Sequence, residues 1–213
     1  IASRRQESAS QAPAVARVVT QKEFRERSAR TLSQILETEP GFYMAQKEWG
    51  AEPYLRGVSN STLFLYDTVP LGSDISKSLH PLNDDFSLAS IKRVEIIRGP
   101  GSVLWGADAF AGIVNVVPMT GKDLNGAEAG VNASYSDSTD QRGFFLNMGH
   151  DAGPWNAFLS ISAREEADDR TCSLVQFWGD GDPPPVTPDE RTGDGELGKA
   201  HYVQVYGNVS VGD

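Results

Sequence analysis

Four charged side chains interrupt stretches that otherwise read as apolar strands. Arg56 ends Tyr54–Arg56, and Arg93, Glu95 and Arg98 lie in and beside the run Val94–Ile97. Guanidinium and carboxylate groups carried on a strand either face water or are buried against matching charges, where they form directional, hydrogen-bonded ion pairs. The second run belongs to Ile91–Val117, IKRVEIIRGPGSVLWGADAFAGIVNVV. In it Val94–Ile97 and Ile113–Val117 flank a loop with Gly at 99, 101, 106 and 112 and Pro at 100. Short Val/Ile-rich runs are strand-like, and Gly/Pro punctuation is loop chemistry.

Other reactive groups carry less. Asp168, Asp169, Asp180 and Asp182 crowd one polar stretch and could offer oxygen ligands to calcium, but they lack EF-hand spacing, and a solvated acidic loop is the preferred reading. His80, His150 and His201 are scattered without metal-ligand spacing. No Ser/His/Asp set, no phosphate-cradling Gly loop opening a helix and no supported carboxylate pair is present. The expectation is a protein that is not an enzyme and needs no metal or cofactor. The single Cys172 reads as an incidental loop thiol. A net charge of −10 and a pI near 4.8 leave no basic stripe to neutralise phosphates, which argues against nucleic acid. No apolar run approaches the ~18–20 residues of a membrane helix, although barrel strands leave a weaker signal. The chain opens at Ile1 without a Met, so a processed or trimmed start is expected.

The elements that must position these groups fall into two textures. Residues 1–14 are Ala/Ser/Gln-rich and read as a flexible arm. From Val15 to about Gly126, short helices and strands alternate. Thr20 and Glu23 fit a capping box ahead of a helix around Lys22–Glu26. Thr31 and Gln34 fit another, with Leu32, Ile35 and Leu36 as its apolar face and Pro40-Gly41 as its stop. Tyr54–Arg56, Leu63–Tyr66, Arg93–Ile97 and Ile113–Val117 read as short strands, giving an α+β domain with a small mixed sheet.

After Gly126 the period becomes two over long segments. Ala127–Ser136, Gly143–His150, Trp155–Arg164 and His201–Val211 each put apolar residues on one face and small polar ones on the other. The second and third are joined by the tight turn Asp151–Pro154, the third and fourth by the long polar stretch 165–199. Short turns at one end and long loops at the other match an outer-membrane barrel, while a soluble antiparallel sheet with one wet face fits the strands alone. Four strands cannot close a barrel, and an open lipid-facing edge leaves backbone groups unsatisfied.

Residues 15–122 resemble the plug domain of TonB-dependent outer-membrane receptors, and residues 127–213 look like the first four strands of such a receptor's barrel. The matching pieces come in the family's order. Ala16–Thr20 and the helix after it resemble the opening strand and helix. LETEPGF (Leu36–Phe42) resembles the helix that ends in Pro-Gly-Val, and Tyr54-Leu55-Arg56-Gly57 the strand ending in Arg-Gly. DTVPL (Asp67–Leu71) is similar to the Asp-Gly-Val-Pro turn, with Thr68 in the glycine's place, and Arg93–Gly101 with Ser102–Val117 resembles the family's signature segment. The TonB box, the strand that pairs with the periplasmic coupling protein, should lie at or before residue 1, with Ile1–Arg5 as its trailing edge. About 18 of the roughly 22 strands of such a barrel are outside this chain.

The resemblance implies active import of a scarce nutrient chelate, a ferric siderophore or similar, with the plug gating the barrel lumen in a Gram-negative outer membrane. The implied partners are TonB with its inner-membrane energising complex, outer-membrane lipid, the metal-chelate ligand, and a second chain if the barrel is split. The alternative is a non-pumping structural component, one chain of a split barrel that docks other proteins. Arg56, Arg93, Glu95 and Arg98 are expected to form a plug–barrel ionic network, solvated if the barrel is absent. Ligand is expected at apical loops bearing Lys47, Trp49, Ser73, Lys77 and Trp105. Packing of Trp105 on Phe110 in the plug core is the competing expectation for that ring.

Overall fold

In the computed structural model the described residues are 15–47, 50–71, 86–99, 105–135, 139–168 and 198–211. The expected arm (1–14), Trp49, the loop bearing Ser73, Lys77 and His80, Cys172, and most of the acidic loop lie outside them.

The chain begins with strand β1 (Val15–Thr20), helix α1 (Gln21–Glu26) and helix α2 (Leu32–Glu37). Both capping boxes form. The Thr20 amide donates to the Glu23 carboxylate at 3.0 Å, and the Gln34 amide donates to the Thr31 hydroxyl at 3.3 Å. β2 (Phe42–Lys47), β3 (Gly50–Leu55) and β4 (Val58–Ser59) make a three-stranded antiparallel sheet. β5 (Thr62–Tyr66), β6 (Val69–Leu71), β7 (Ile91–Arg98) and β8 (Gly112–Pro118) join β1 in a mixed sheet ordered β1-β7-β8-β5-β6, with β5 and β8 parallel.

The mixed sheet is buried on both faces, as its continuous apolar runs require. One face carries Val19, Phe64, Val94, Ile96, Val114 and Val116 against Phe24 of α1 and Leu32, Ile35 and Leu36 of α2. The other carries Leu63, Leu65, Ile97 and Ile113 against Ala109 and the ring of Trp105.

β9 (Gly126–Tyr135), β10 (Thr139–Asp151), β11 (Trp155–Asp168) and β12 (Gly198–Val211) form an antiparallel meander in an open sheet ordered β12-β11-β10-β9. β10 and β11 run several residues beyond the expected segments, since register continues to Thr139↔Asp168. β2 and β6 are not among the expected strands. Phe42–Lys47 shows no clean period of two, and Val69–Leu71 is too short to register as a strand without its partner β5.

The two halves meet along a close seam. A Cβ at Gly121 would come within 2.7 Å of backbone atoms of His150 and Ala157, and one at Gly149 would overlap the Leu124 carbonyl. No side chain fits at either position.

Candidate functional site

The charged groups of β7 divide between its two faces, because successive residues of a strand alternate sides. Arg93 and Glu95 lie on the Ile97 side. There Arg93 Nε donates to Glu95 Oε1 at 2.7 Å, and Asn115 Nδ2 donates to Glu95 Oε2 at 3.3 Å. Asn115 Oδ1 in turn accepts the Thr68 amide at 3.0 Å. This chain of bonds braces the β5–β6 turn, where Asp67 and Thr68 have φ of 47° and 69°. Tyr66 pairs with Val69 across a two-residue loop, the geometry that normally selects glycine.

Arg98 lies on the opposite face, over the helices. Its guanidinium donates to Glu39 Oε2 at 2.8 Å. Glu39, in the segment between α2 and β2, is only 4% exposed. Its other oxygen accepts from Arg27 at 3.1 Å and lies 3.5 Å from Arg17 Nε. One buried carboxylate therefore ties β1, the turn after α1 and β7 together. Arg17 also pairs with Glu23. The Thr20 amide, then Arg17, hold the Glu23 carboxyl down at about 2.

Of the residues expected in a plug–barrel network, Arg93 and Glu95 pair with each other, while Arg98 pairs with Glu39 on the opposite face. Arg98 is turned into the plug against Glu39. Arg56 is exposed, its φ of 54° opening the turn to Gly57, and among the described residues its side chain makes no ion pair. Its amide donates to the Gly41 carbonyl at 2.8 Å. The hub Glu39 and its partners Arg17 and Arg27 escaped the sequence reading. The parity of β7 could have found half of this, since 93 and 95 share a face that 98 does not.

The apical candidates are placed unevenly. Lys47 ends β2, with its side chain outside the described atoms, and Trp49, Ser73 and Lys77 lie outside the described residues. Trp105 is half-buried against the second core cluster, whereas Phe110 is 64% exposed, so Phe110 is not part of a buried core there. Tyr43 and Tyr54, on neighbouring strands β2 and β3, meet edge to face with centroids 6.1 Å apart.

The four-stranded sheet is inverted relative to a soluble one. Toward the α+β domain it turns Asn147, Asn156, Ser160 and Ser162, all buried. Away from it stand Val131, Tyr135, Phe144, Val203, Val205, Val209 and Val211, with Val131 87% and Val205 65% exposed. The inner face hydrogen-bonds the first domain directly. Asn147 Nδ2 donates to the Ala89 carbonyl at 2.9 Å, Asn208 Nδ2 to the Met119 carbonyl at 2.7 Å, and Gln204 Oε1 accepts the Ser87 amide at 2.6 Å. Arg25 pairs with Glu128, and Arg30 donates to Gln141. Tyr66 packs its ring on Tyr206, and burial pushes its phenol far up from the usual range. At the exit from β8, Asp123 binds Lys92 and Thr120. Burial pushes its carboxyl up, but these partners outweigh it and hold the group below its usual range.

Residues 8–113 match the family described as TonB-dependent Receptor Plug Domain. The vitamin B12 transporter BtuB of Vibrio vulnificus is 33% identical over 134 residues, 60% of this chain and 21% of that relative. The ferric-pyoverdine M114 receptor PbuA of Pseudomonas sp. is 29% identical over 157 residues, 72% of this chain and 18% of that relative. The chain therefore spans about a fifth of the length of these curated relatives. In fold it is similar to the ferripyoverdine receptor of the Pseudomonas aeruginosa outer membrane, with a TM-score of 0.61 at 17% identity over 79% of this chain and 22% of that one. A variant of the ferric enterobactin receptor of the same organism gives 0.59 at 18%, over 76% and 26%.

Proposed function

This chain belongs to the TonB-dependent receptor family, with its plug domain in residues 8–113, and on that premise we propose that the protein containing it imports a scarce metal chelate, a ferric siderophore or similar nutrient, across the outer membrane. The family is one of outer-membrane receptors and transporters, and the outer membrane is where this protein resides. The observation that carries the reading is the inversion of the strand sheet, with polar groups buried against the plug and valines bare on the far side. Only a surrounding that is less polar than the interior rewards that arrangement, and lipid outside a plugged lumen is such a surrounding.

In this reading β9–β12 open a barrel of which the turn after Asp151 marks the periplasmic end and the connection from β11 to β12 the extracellular one. Residues 15–122 would fill the lumen as the plug. β8 descends from Gly112 to the seam at Gly121, so the Arg56-Gly57 turn and the loop carrying Trp105 lie at the other end of the mixed sheet. The loop carrying Trp105 would meet ligand there, and Lys47, Trp49, Ser73 and Lys77 are proposed as further ligand contacts. The relatives named for ferric pyoverdine and vitamin B12 support large chelates as the cargo class.

Buried ion pairs suit a plug that must seal yet move. They fix position while adding little net stability, because desolvation offsets their attraction. TonB, with its inner-membrane complex, would supply the pull.

The test is uptake of radiolabelled ferric pyoverdine, ferric enterobactin and cyanocobalamin by receptor-deleted cells expressing the full-length protein, with and without TonB. Accumulation of at least one chelate that vanishes without TonB is the expected result. Uptake that persists without TonB, or accumulation of none of them, overturns the proposal.

A further inference from the structure

The sequence holds one Asn-Gly pair, Asn125–Gly126, and it falls where the first domain passes into β9. Both residues are exposed. The Asp151 amide donates to Asn125 Oδ1 at 3.4 Å, and among the described residues Asn125 Nδ2 makes no hydrogen bond. The Asp151 carboxylate is turned away, its Oδ1 accepting the Gly153 amide at 3.1 Å. A main-chain donor rather than a negative charge therefore meets the Asn125 side-chain carbonyl. Such a donor polarises the amide and receives the charge that develops on its oxygen during attack. Gly126 has φ of 146° and nothing within 4 Å of the place a Cβ would take, so no side chain screens its nitrogen. It opens the β9–β10 ladder opposite Gly149, and bonds at the end of an element open at little cost.

We propose that Asn125–Gly126 is a site of spontaneous covalent modification, an imide-forming pair whose isoaspartyl product loosens the seam between the first domain and the strands. The Gly126 nitrogen attacks Asn125 Cγ, the N–Cγ bond forms, and Nδ2 leaves as ammonia with the Gly126 proton. Water then opens the five-membered imide. Opening at Cγ gives aspartate on an unchanged main chain. Opening at the Asn125 main-chain carbonyl gives isoaspartate, whose chain runs through Cβ and Cγ and is one carbon longer. Both products add a carboxylate. Only the second adds length, and the junction has no room for it. The Leu124 carbonyl packs where a Cβ of Gly149 would stand, and Gly126 pairs with the same Gly149 in register. With both neighbours of Asn125 fixed on one residue, an extra carbon between them displaces one or the other. The chemistry needs only water and the folded junction, and import plays no part in it.

The test ages the full-length receptor in outer-membrane vesicles at mildly alkaline pH. Peptide mass spectrometry follows the amide-to-acid mass gain, and isoaspartate, at each asparagine. Asn60 is the internal reference, exposed in a turn but followed by the buried Ser61. Conversion at Asn125 is expected to exceed that at Asn60 about tenfold, because glycine lacks the Cβ that crowds and strains the attack. Gly126→Ala should remove most of the difference. Hydrogen exchange across residues 147–157, the strand segments at the seam, should be faster in the aged receptor than in the fresh one. Aged Asn125→Gln should match fresh protein, and so should fresh Asn125→Asp, which carries the charge without the added carbon. Conversion at Asn125 no greater than at Asn60, conversion only after unfolding in urea, or exchange unchanged by ageing overturns the proposal. Equal acceleration in fresh Asn125→Asp would assign the effect to charge and overturn the role of the isoaspartyl product.

Discussion

At the scale of single residues, Glu39 concentrates the most consequence. Truncation to alanine strands Arg98, Arg27 and Arg17 around a buried void, and breaking such a cluster typically costs about 3 kcal/mol or more. Arg98→Ala should cost less, about 1–2 kcal/mol, since Glu39 keeps two partners. Urea unfolding followed by near-UV circular dichroism would rank them, and a smaller effect for Glu39→Ala than for Arg98→Ala would contradict the hub. Thr68 offers the opposite sign. A β-branched residue at φ 69° sits in the left-handed region, and Thr68→Gly should stabilise the plug by about 1 kcal/mol. An unchanged or lowered unfolding midpoint would show that the Asn115 brace already relieves the strain. The departure at Thr68 was visible in DTVPL, but Glu39 was not. Nothing in LETEPGF says which of its acids turns inward, because that depends on how the chain leaves α2 after Pro40-Gly41.

At the scale of elements, the capping box of α1 is coupled to acid stability. Glu23 titrates near 4.5 when unperturbed and at about 2 in the fold, held by the Thr20 amide and then by Arg17. A depressed folded value means the contribution is complete above about pH 4.5 and lost as pH falls toward 2. Glu23→Gln should therefore lower stability at pH 7 and flatten its decline across that interval. Equal slopes for the two proteins in a pH series of urea midpoints would exclude Glu23 as the source. The helices were legible because capping chemistry is local, and the strands because alternation is local. β2 was not legible. Its residues take strand form by pairing with β3, Phe42 opposite Leu55, a contact that no window of sequence contains. The partners of the charged groups are hidden for a related reason, since Arg93, Glu95 and Arg98 are near along the chain but the sheet separates 98 from 93 and 95.

At the scale of the whole molecule, the inverted sheet makes a prediction by side. Val205→Arg on the bare face should impair assembly of the full-length receptor by about 2–4 kcal/mol at mid-membrane depth, whereas Ser134→Arg on the inner face should be tolerated far better. Heat-modifiability of the receptor in outer-membrane extracts measures the folded fraction, and equal losses would refute the assignment of faces. The alternation of β9–β12 announced two faces but not which of them meets the protein interior, since Asn and Ser are as content in water as in a lumen. The seam at Gly121 and Gly149 has a bearing on time rather than on shape. The residues that meet there, Leu124 with Gly149 and Gly121 with Ala157, are joined through the first strands alone, so they can meet without any later strand, and the closure cost grows only slowly with the length of such loops. The plug can accordingly dock on its first two hairpins while the later strands of a barrel are still unpaired, making the opening strands a cradle on which the later ones are laid.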